Sequence, residues 1–357
     1  MFSNFFLKSF RILLLPVSIL YWFVIYLRSR MYDAGILKSV HFGLPVICVG
    51  NLSVGGTGKS PMVEYLVEDL KDKYRVATLS RGYKRKTRGY ALANENSTAL
   101  EIGDEPMQFY LKFPDIPIAV GEKRIEAIPQ LLQDRADTQV IILDDAFQHR
   151  ELKTGLNILL TDYSNLFTRD FYLPTGDLRD LKSNYRKADI IVVTKCRSAL
   201  SKNEKNKIIK EINPLGHQHI FFTELVYGDM YHLTGQSDFK LTGRTEVLLV
   251  SGIANPLPLQ RMLEKECKSY SMLHYPDHHI FTIDDLKDIK RKFGDMKAKN
   301  KIILSTEKDA VRLVKFKAEV QELPVYIIPI RHSFLFDEAQ QFKELVTDFI
   351  NNFKKKI

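Results

Sequence analysis

Cysteine is scarce in this chain: Cys48, Cys196 and Cys267 are the only three among 357 residues. They are widely separated and form neither a Cys-x-x-Cys pair nor a metal-ligand spacing, so a disulfide framework has no basis and a reducing compartment fits. Low-complexity tracts and repeats at solenoid periods are also missing, which removes linker-like and repeat architectures. What remains is a globular composition, 45% hydrophobic and 27% charged, long enough for two domains with sizeable cores. Acidic charge is in deficit. The formal net charge of +9 calls for an anionic partner: nucleic acid, acidic lipid or a phosphorylated substrate.

The one uncharged apolar run, residues 12–27, reads ILLLPVSILYWFVIYL. It is shorter than the roughly 20 residues of a full bilayer span, and Pro16 weakens its first turn. Tyr21, Trp22 and Tyr26 are amphipathic rings suited to the headgroup level. Lys8 and Arg11 before the run, and Arg28 and Arg30 after it, can pair with anionic lipid but leave orientation open. A buried core helix and a cleaved signal are the rival readings. Residues 28–32 offer no small-residue cleavage site. The expectation is a membrane-associated helix, interfacial or partly inserted.

From residue 45 onward, short β-rich runs alternate with helical patterns. The runs at 46–49, 75–79, 117–120, 140–143, 157–160 and 189–193 are apolar nearly throughout, as in strands covered on both faces. Val63, Leu66, Val67 and Leu70 make an i, i+3, i+4, i+7 stripe, and Pro61 sits in the first turn of that helix. The pattern predicts a doubly wound α/β domain and, with the glycine-rich loop after its first strand, a P-loop NTPase-like, mostly parallel sheet with helices on both faces. Further runs at 246–250, 301–304 and 325–328 predict a smaller C-terminal α/β domain closed by a polar helix over about 337–355. The expected units are a membrane-associated helix at 1–30, a core at 31–226 and the smaller domain at 227–357. A connector carrying Gly228, Gly235 and Gly243 lies near 227–243.

The first strand runs directly into Gly50-Asn51-Leu52-Ser53-Val54-Gly55-Gly56-Thr57-Gly58-Lys59-Ser60-Pro61. Glycines let backbone N–H groups approach phosphate oxygens, and the helix N-terminus favours the same anion. Ser53, Val54, Gly55, Gly56, Thr57, Gly58, Lys59 and Ser60 therefore form the expected nucleotide cradle. Lys59 would neutralise the β/γ-phosphates and Ser60 would bind Mg²⁺. The usual first glycine of the pattern is replaced by Ser53. Asp144 and Asp145 end the strand at 140–143, where ligands gather in open α/β sheets. Such a pair can cap a helix; beside a phosphate loop in the same sheet it points to Mg²⁺. Thr194-Lys195-Cys196-Arg197 puts an arginine where a guanine reader needs a carboxylate, which argues against GTP.

Seven motifs stand in order: the phosphate loop, Ser80-Arg81-Gly82-Tyr83, Gly103-Asp104-Glu105-Pro106, Asp144-Asp145-Ala146-Phe147-Gln148-His149-Arg150, Pro174-Thr175-Gly176-Asp177-Leu178-Arg179, Asp277-His278-His279 and Thr306-Glu307-Lys308-Asp309-Ala310-Val311. Together they resemble the tetraacyldisaccharide 4′-kinase family, the lipid A 4′-kinases of Gram-negative bacteria. The resemblance spans nearly the whole chain. It implies an ATP- and Mg²⁺-dependent lipid kinase anchored at the cytoplasmic face of the bacterial inner membrane. Its acceptor would be the 4′-hydroxyl of a tetraacylated glucosamine disaccharide 1-phosphate. On residues alone Asp104 reads first as a helix cap, and His278 as an ordinary polar loop residue. The resemblance makes Asp104 the base and His278 its partner, which must meet across the two domains and suggests a hinge. It also assigns Glu105, Asp144 and Asp145 to the metal, and Arg124 and Arg179 to positions near the phosphates. Ser53, Ser60 and Ala146 replace the more usual Thr, Thr and Gly, and Asp180 replaces Glu.

Arg81, Lys84, Arg85, Lys86 and Arg88, interleaved with Tyr83 and Tyr90, form a basic cluster. No nucleic-acid motif accompanies it, so it reads as a solvated loop or as a lid meeting anionic lipid or the substrate phosphate. No obligate protein partner is evident. A switch-type P-loop NTPase acting on a protein partner is the alternative function; a tethered binding module with a degenerate loop is the third reading.

Overall fold

The computed structural model describes residues 11–234 and 238–353; Lys8, Gly235 and Lys355 lie outside them. Nine strands make the larger sheet. In spatial order they are Ile330–Phe334, His219–Tyr227, Ile190–Thr194, Leu156–Asp162, Val46–Asn51, Val140–Asp144, Val76–Ser80, Ile118–Val120 and Ala91–Leu92. All pairings are parallel except those of the two edge strands. The central strand Val46–Asn51 is buried along its whole length. Its side chains alternate between two apolar layers. Val46 and Cys48 join Leu79, Ile141 and Leu143 on one face. Ile47 and Val49 meet Met62, Val63, Leu66 and Leu70 of helix Lys59–Leu70 on the other. That alternation is why these runs read as continuous apolar sequence.

The smaller sheet has the order Asp238–Phe239, Met230–His232, Val325–Ile328, Lys301–Thr306, Glu246–Ser251 and Ser269–His274. Its core strands are parallel. The expected C-terminal unit, 227–357, does not stay together. Ile330–Phe334 pairs antiparallel with His219–Tyr227 in the larger sheet. Helix Ala339–Phe353 follows it there, placing Phe342, Val346 and Ile350 in the layer that holds Ile47 and Leu66. Those three residues recur at helical spacing, so a helix that reads as polar carries an apolar stripe that needs a cover. The chain thus crosses from the larger sheet to the smaller one near residue 228 and returns near 329.

Residues 12–14 form a single 3₁₀ turn, and Leu15–Asp33 continues as α-helix. Ile12–Asp33 is long and apolar enough to cross a bilayer by length and composition, and only 11% of its apolar window is buried against the rest of the chain. A buried core helix is therefore excluded. Pro16 lies within the first α-turn, where it breaks no interior hydrogen bond. Ser18 and Ser29 mark the face turned toward the protein, while Leu13, Leu20 and Phe23 are exposed.

Candidate active site

The phosphate loop connects Val46–Asn51 to helix Lys59–Leu70. Gly50 sits where an added Cβ would come within 2.6 Å of the Phe147 Cβ, so the acidic turn packs directly on the strand end. Gly58, the residue before the helix, has φ +86°, and the imidazole of His332 lies 3.1 Å from where its Cβ would stand. His332 Nε2 donates to the Gly58 carbonyl (2.9 Å), and Nδ1 then accepts from the Thr223 hydroxyl (2.9 Å). Burial pushes this imidazole down to about 4, so it holds the loop as a neutral ring. Thr194 Oγ1 donates to the Thr57 carbonyl (2.8 Å), which gives the Thr194–Arg197 turn a structural task in the same loop. Arg197 itself is taken up by Glu204 (2.5 Å).

Lys59 Nζ donates to Asn51 Oδ1 (3.3 Å) and lies 3.7 Å from Asp145 Oδ1. Burial lowers its pKa against the opposing pull of Asp145. Arg179 closes the ring. Its Nη1 donates to Asp145 Oδ2 (2.9 Å), its Nη2 to Asn51 Oδ1 (2.6 Å) and also to Asp145 Oδ1. Arg179 gets there because residues 177–180 run along the loop: Val54 N donates to Asp177 O (2.7 Å) and Arg179 N to Leu52 O (2.9 Å). Burial opposes the Asp145 charge, but Lys59 and Arg179 outweigh it and hold its pKa below the usual carboxylate range. The positive φ of this turn falls on Asp145 (+51°), so Ala146 meets no backbone conflict.

Asp144 behaves differently. Burial, then repulsion from Asp145, pushes its carboxyl up to about 7. Its Oδ1 is buried without a hydrogen-bond partner among the described residues. Such an orphaned acceptor at a strand end fits a ligand that supplies positive charge. Glu105, half-buried in the first turn of helix Asp104–Lys112, adds negative potential to both Lys59 and Asp144. Among the described residues no group of three or more His, Cys, Asp or Glu forms a metal cluster by itself. That is expected where phosphate oxygens and water complete a Mg²⁺ shell. Arg124 is fully buried: it donates to Gly121 O and, at 3.3 Å, to Asp144 O, so it braces the acidic strand end rather than facing open space.

Asp104 opens helix Asp104–Lys112, yet its carboxylate points away to the smaller sheet. His278 Nδ1 lies 2.8 Å from Asp104 Oδ2, joining residues 174 positions apart. Arg312 Nε donates to Asp104 Oδ1 (2.9 Å) and its Nη2 to Oδ2. The sequence reading missed Arg312. It stands one residue beyond the Thr306–Val311 motif, on helix Glu307–Leu313, and its side chain is 11% exposed. The same helix seats the histidine loop: Asp309 Oδ1 accepts from Gly252 N (3.1 Å), and Gly252 O accepts from His278 N (3.2 Å). Below the pair, Lys112 Nζ bridges Glu64 (2.5 Å) and Glu307 (2.8 Å), tying the phosphate-loop helix, the Asp104 helix and the smaller unit together. Arg312, His332 and this bridge carry no local signature. Their partners are too distant in sequence.

The N-terminal helix reaches the same region. Tyr21 Oη donates to Arg179 O (2.9 Å), and Arg11 donates to Pro174 O (2.9 Å), Gly176 O (2.7 Å) and Asp177 (2.9 Å). At the other end Arg150 binds Ser29 and Asp33, while its neighbour Gln148 donates to Asn51 O (2.6 Å). In the basic cluster, Arg85 folds inward onto Glu122 (2.7 Å), and Tyr83 and Lys84 remain exposed.

A family model described as tetraacyldisaccharide-1-P 4′-kinase matches residues 10–351. A tetraacyldisaccharide 4′-kinase of Flavobacterium johnsoniae is 45% identical over 341 residues, spanning 95% of this chain and 97% of its own length. One from Bacteroides thetaiotaomicron is 41% identical over 351 residues, spanning 94% and 92%. Among solved structures, LpxK from Aquifex aeolicus in complex with ATP superposes with a TM-score of 0.75 at 29% identity, covering 96% of this chain and 99% of that one.

Proposed function

The chain belongs to the tetraacyldisaccharide-1-P 4′-kinase family of lipid kinases, and from that premise we propose that it transfers the γ-phosphate of ATP to the 4′-hydroxyl of a tetraacylated glucosamine disaccharide 1-phosphate, in lipid A biosynthesis. The family expected from the ordered motifs and the α/β fold expected from the apolar runs are borne out. The observation that supports the residue-level reading is the 2.8 Å contact between Asp104 and His278, which brings two motifs distant in sequence to one point.

In this reading the backbone amides of Ser53 through Ser60 cradle the ATP phosphates and Lys59 neutralises them. Where a side chain would stand at Gly55 and Gly56, nothing beyond their chain neighbours lies within 4 Å, so the loop is uncovered there. Ser60, Glu105, Asp144 and Asp145 would hold Mg²⁺; the partnerless Asp144 Oδ1 fits that task. When bound, Mg²⁺ neutralises charge on the β- and γ-phosphate oxygens. Asp104 accepts the proton of the sugar hydroxyl, with His278 orienting its carboxylate, a contribution of roughly 10²–10⁴-fold in rate. Arg179 offsets charge that develops at the phosphates. Arg124 adds positive field from beneath Asp144. Helix Ile12–Asp33 seats its exposed apolar side in the bacterial inner membrane at the cytoplasmic face, with Arg28 and Arg30 meeting anionic lipid.

The test is incubation of the purified protein with ATP and the disaccharide lipid, with the product identified by mass spectrometry. One added phosphate on the lipid supports the kinase. Free phosphate with unchanged lipid would instead favour a switch-type NTPase.

A further inference from the structure

We propose that Arg312 is a positioning residue for the Asp104 carboxylate, fixing the direction from which the acceptor hydroxyl approaches. The inference rests on the base assignment above. Helix Asp104–Lys112 begins at Gly103 without a side-chain cap, so the helix does not engage the Asp104 carboxylate as a cap. The guanidinium does engage it, at both oxygens. A planar two-point fork sets the plane of a carboxylate, which a single ammonium cannot do. An ionised carboxylate offers about four lone-pair directions. Two are taken by Arg312 and one by His278, which leaves a single direction for an incoming hydroxyl.

Arg312 is itself held from the smaller unit. Its Nη1 donates to His279 O (3.3 Å). Helix Glu307–Leu313 therefore carries both the fork and, through Asp309 and Gly252, the loop with His278. With the Arg312 and Asp104 side chains 11% and 12% exposed, water competes little for these bonds.

Arg312→Ala should lower kcat for lipid phosphorylation by roughly tenfold to a hundredfold, the scale of a misplaced catalytic group, with KM for ATP unchanged. Low, non-denaturing guanidinium should restore much of the loss, whereas methylammonium should not. Arg312→Lys, which keeps charge but not the fork, should stay below wild type even when it melts at the same temperature, and it carries the test if the alanine variant does not fold. Wild-type kcat in either folded variant overturns the proposal, as does a folded alanine variant indifferent to guanidinium. Asp104→Asn is assayed alongside. If it still phosphorylates lipid, the base assignment falls and Arg312 with it. If it is inactive while Arg312→Ala is fully active, only the positioning role falls.

Discussion

The two ends of the proposed site are built in opposite ways. The phosphate end is one stretch of chain, residues 50–61, with its strand before and its helix after. The acceptor end is a meeting of residues 174 and 208 positions apart, Asp104 with His278 and with Arg312. A contiguous loop obtains its geometry from local backbone rules, so its chemistry can be read directly from residue order. A junction between two sheets obtains its geometry only after both have folded. The contrast predicts separable failures: damage at the loop should weaken nucleotide handling, and damage at the junction should stop transfer while nucleotide still binds.

The largest effect belongs to the junction. Asp104→Asn keeps the shape but cannot take a proton and turns one of two accepting oxygens into a donor, so kcat should fall roughly 10²–10⁴-fold with ATP affinity retained. Single-turnover phosphorylation and nucleotide titration, run on the same preparation, read both quantities. Loss of ATP binding in this variant would erase the distinction between the two ends. Lys59→Ala comes next. Removing one preorganised positive charge from the phosphates costs on the order of 10²–10³-fold in rate, and here nucleotide affinity should fall too. A Lys59→Ala protein that binds ATP like wild type would mean that Asn51, Arg179 and the backbone suffice.

Legibility follows the same division. The parallel sheet was readable because strands buried on both faces leave continuous apolar runs. The phosphate loop and the Asp144–Asp145 strand end were readable because each sits on one such strand. Strand His219–Tyr227 was missed. It begins parallel to Ile190–Thr194 and ends antiparallel to Ile330–Phe334, so half-buried positions blur its pattern. The return of Ile330–Phe334 and helix Ala339–Phe353 to the larger sheet was missed for a related reason. Nothing local in a strand says which sheet it will join. At the acceptor end, Asp104 and His278 came only from the order of the motifs, and Arg312 came from neither.

His332 tests whether the loop is as local as it looks, since the residue that pins Gly58 lies 274 positions downstream. His332→Phe keeps the bulk, leaves the buried Thr223 hydroxyl without its partner at a cost of about 1–3 kcal/mol, and leaves the Gly58 carbonyl with only its helix bond from Met62 N (3.2 Å). Thermal melting should fall, and ATP affinity with it, because the helix start that carries Lys59 loses its brace. Unchanged melting would show that the loop stands by its own backbone.

The smallest effect, and the one that joins the two ends, is at Glu64. Lys112 is shared between Glu64 and Glu307, so this buried group carries one carboxylate in excess. Burial, then the charge of Glu307, pushes Glu64 up to about 7, from an ordinary value of 4.5. Between those values the native protein holds a proton that the unfolded chain has released, so stability falls as pH rises through the window. The raised pKa of Lys112 acts only in the alkaline range and does not reverse that sign. Glu64→Gln keeps one oxygen for Lys112 and removes the excess charge, and its new amide N–H can donate to the otherwise partnerless Gln108 oxygen once that amide turns over. Every other titrating group is common to both proteins, so the difference in melting temperature should grow in favour of the variant between about pH 4.5 and about pH 7. Parallel melting profiles would mean that Glu64 carries no native-state proton. The bridge between the phosphate-loop helix and the smaller unit would then be fully ionised in the working range.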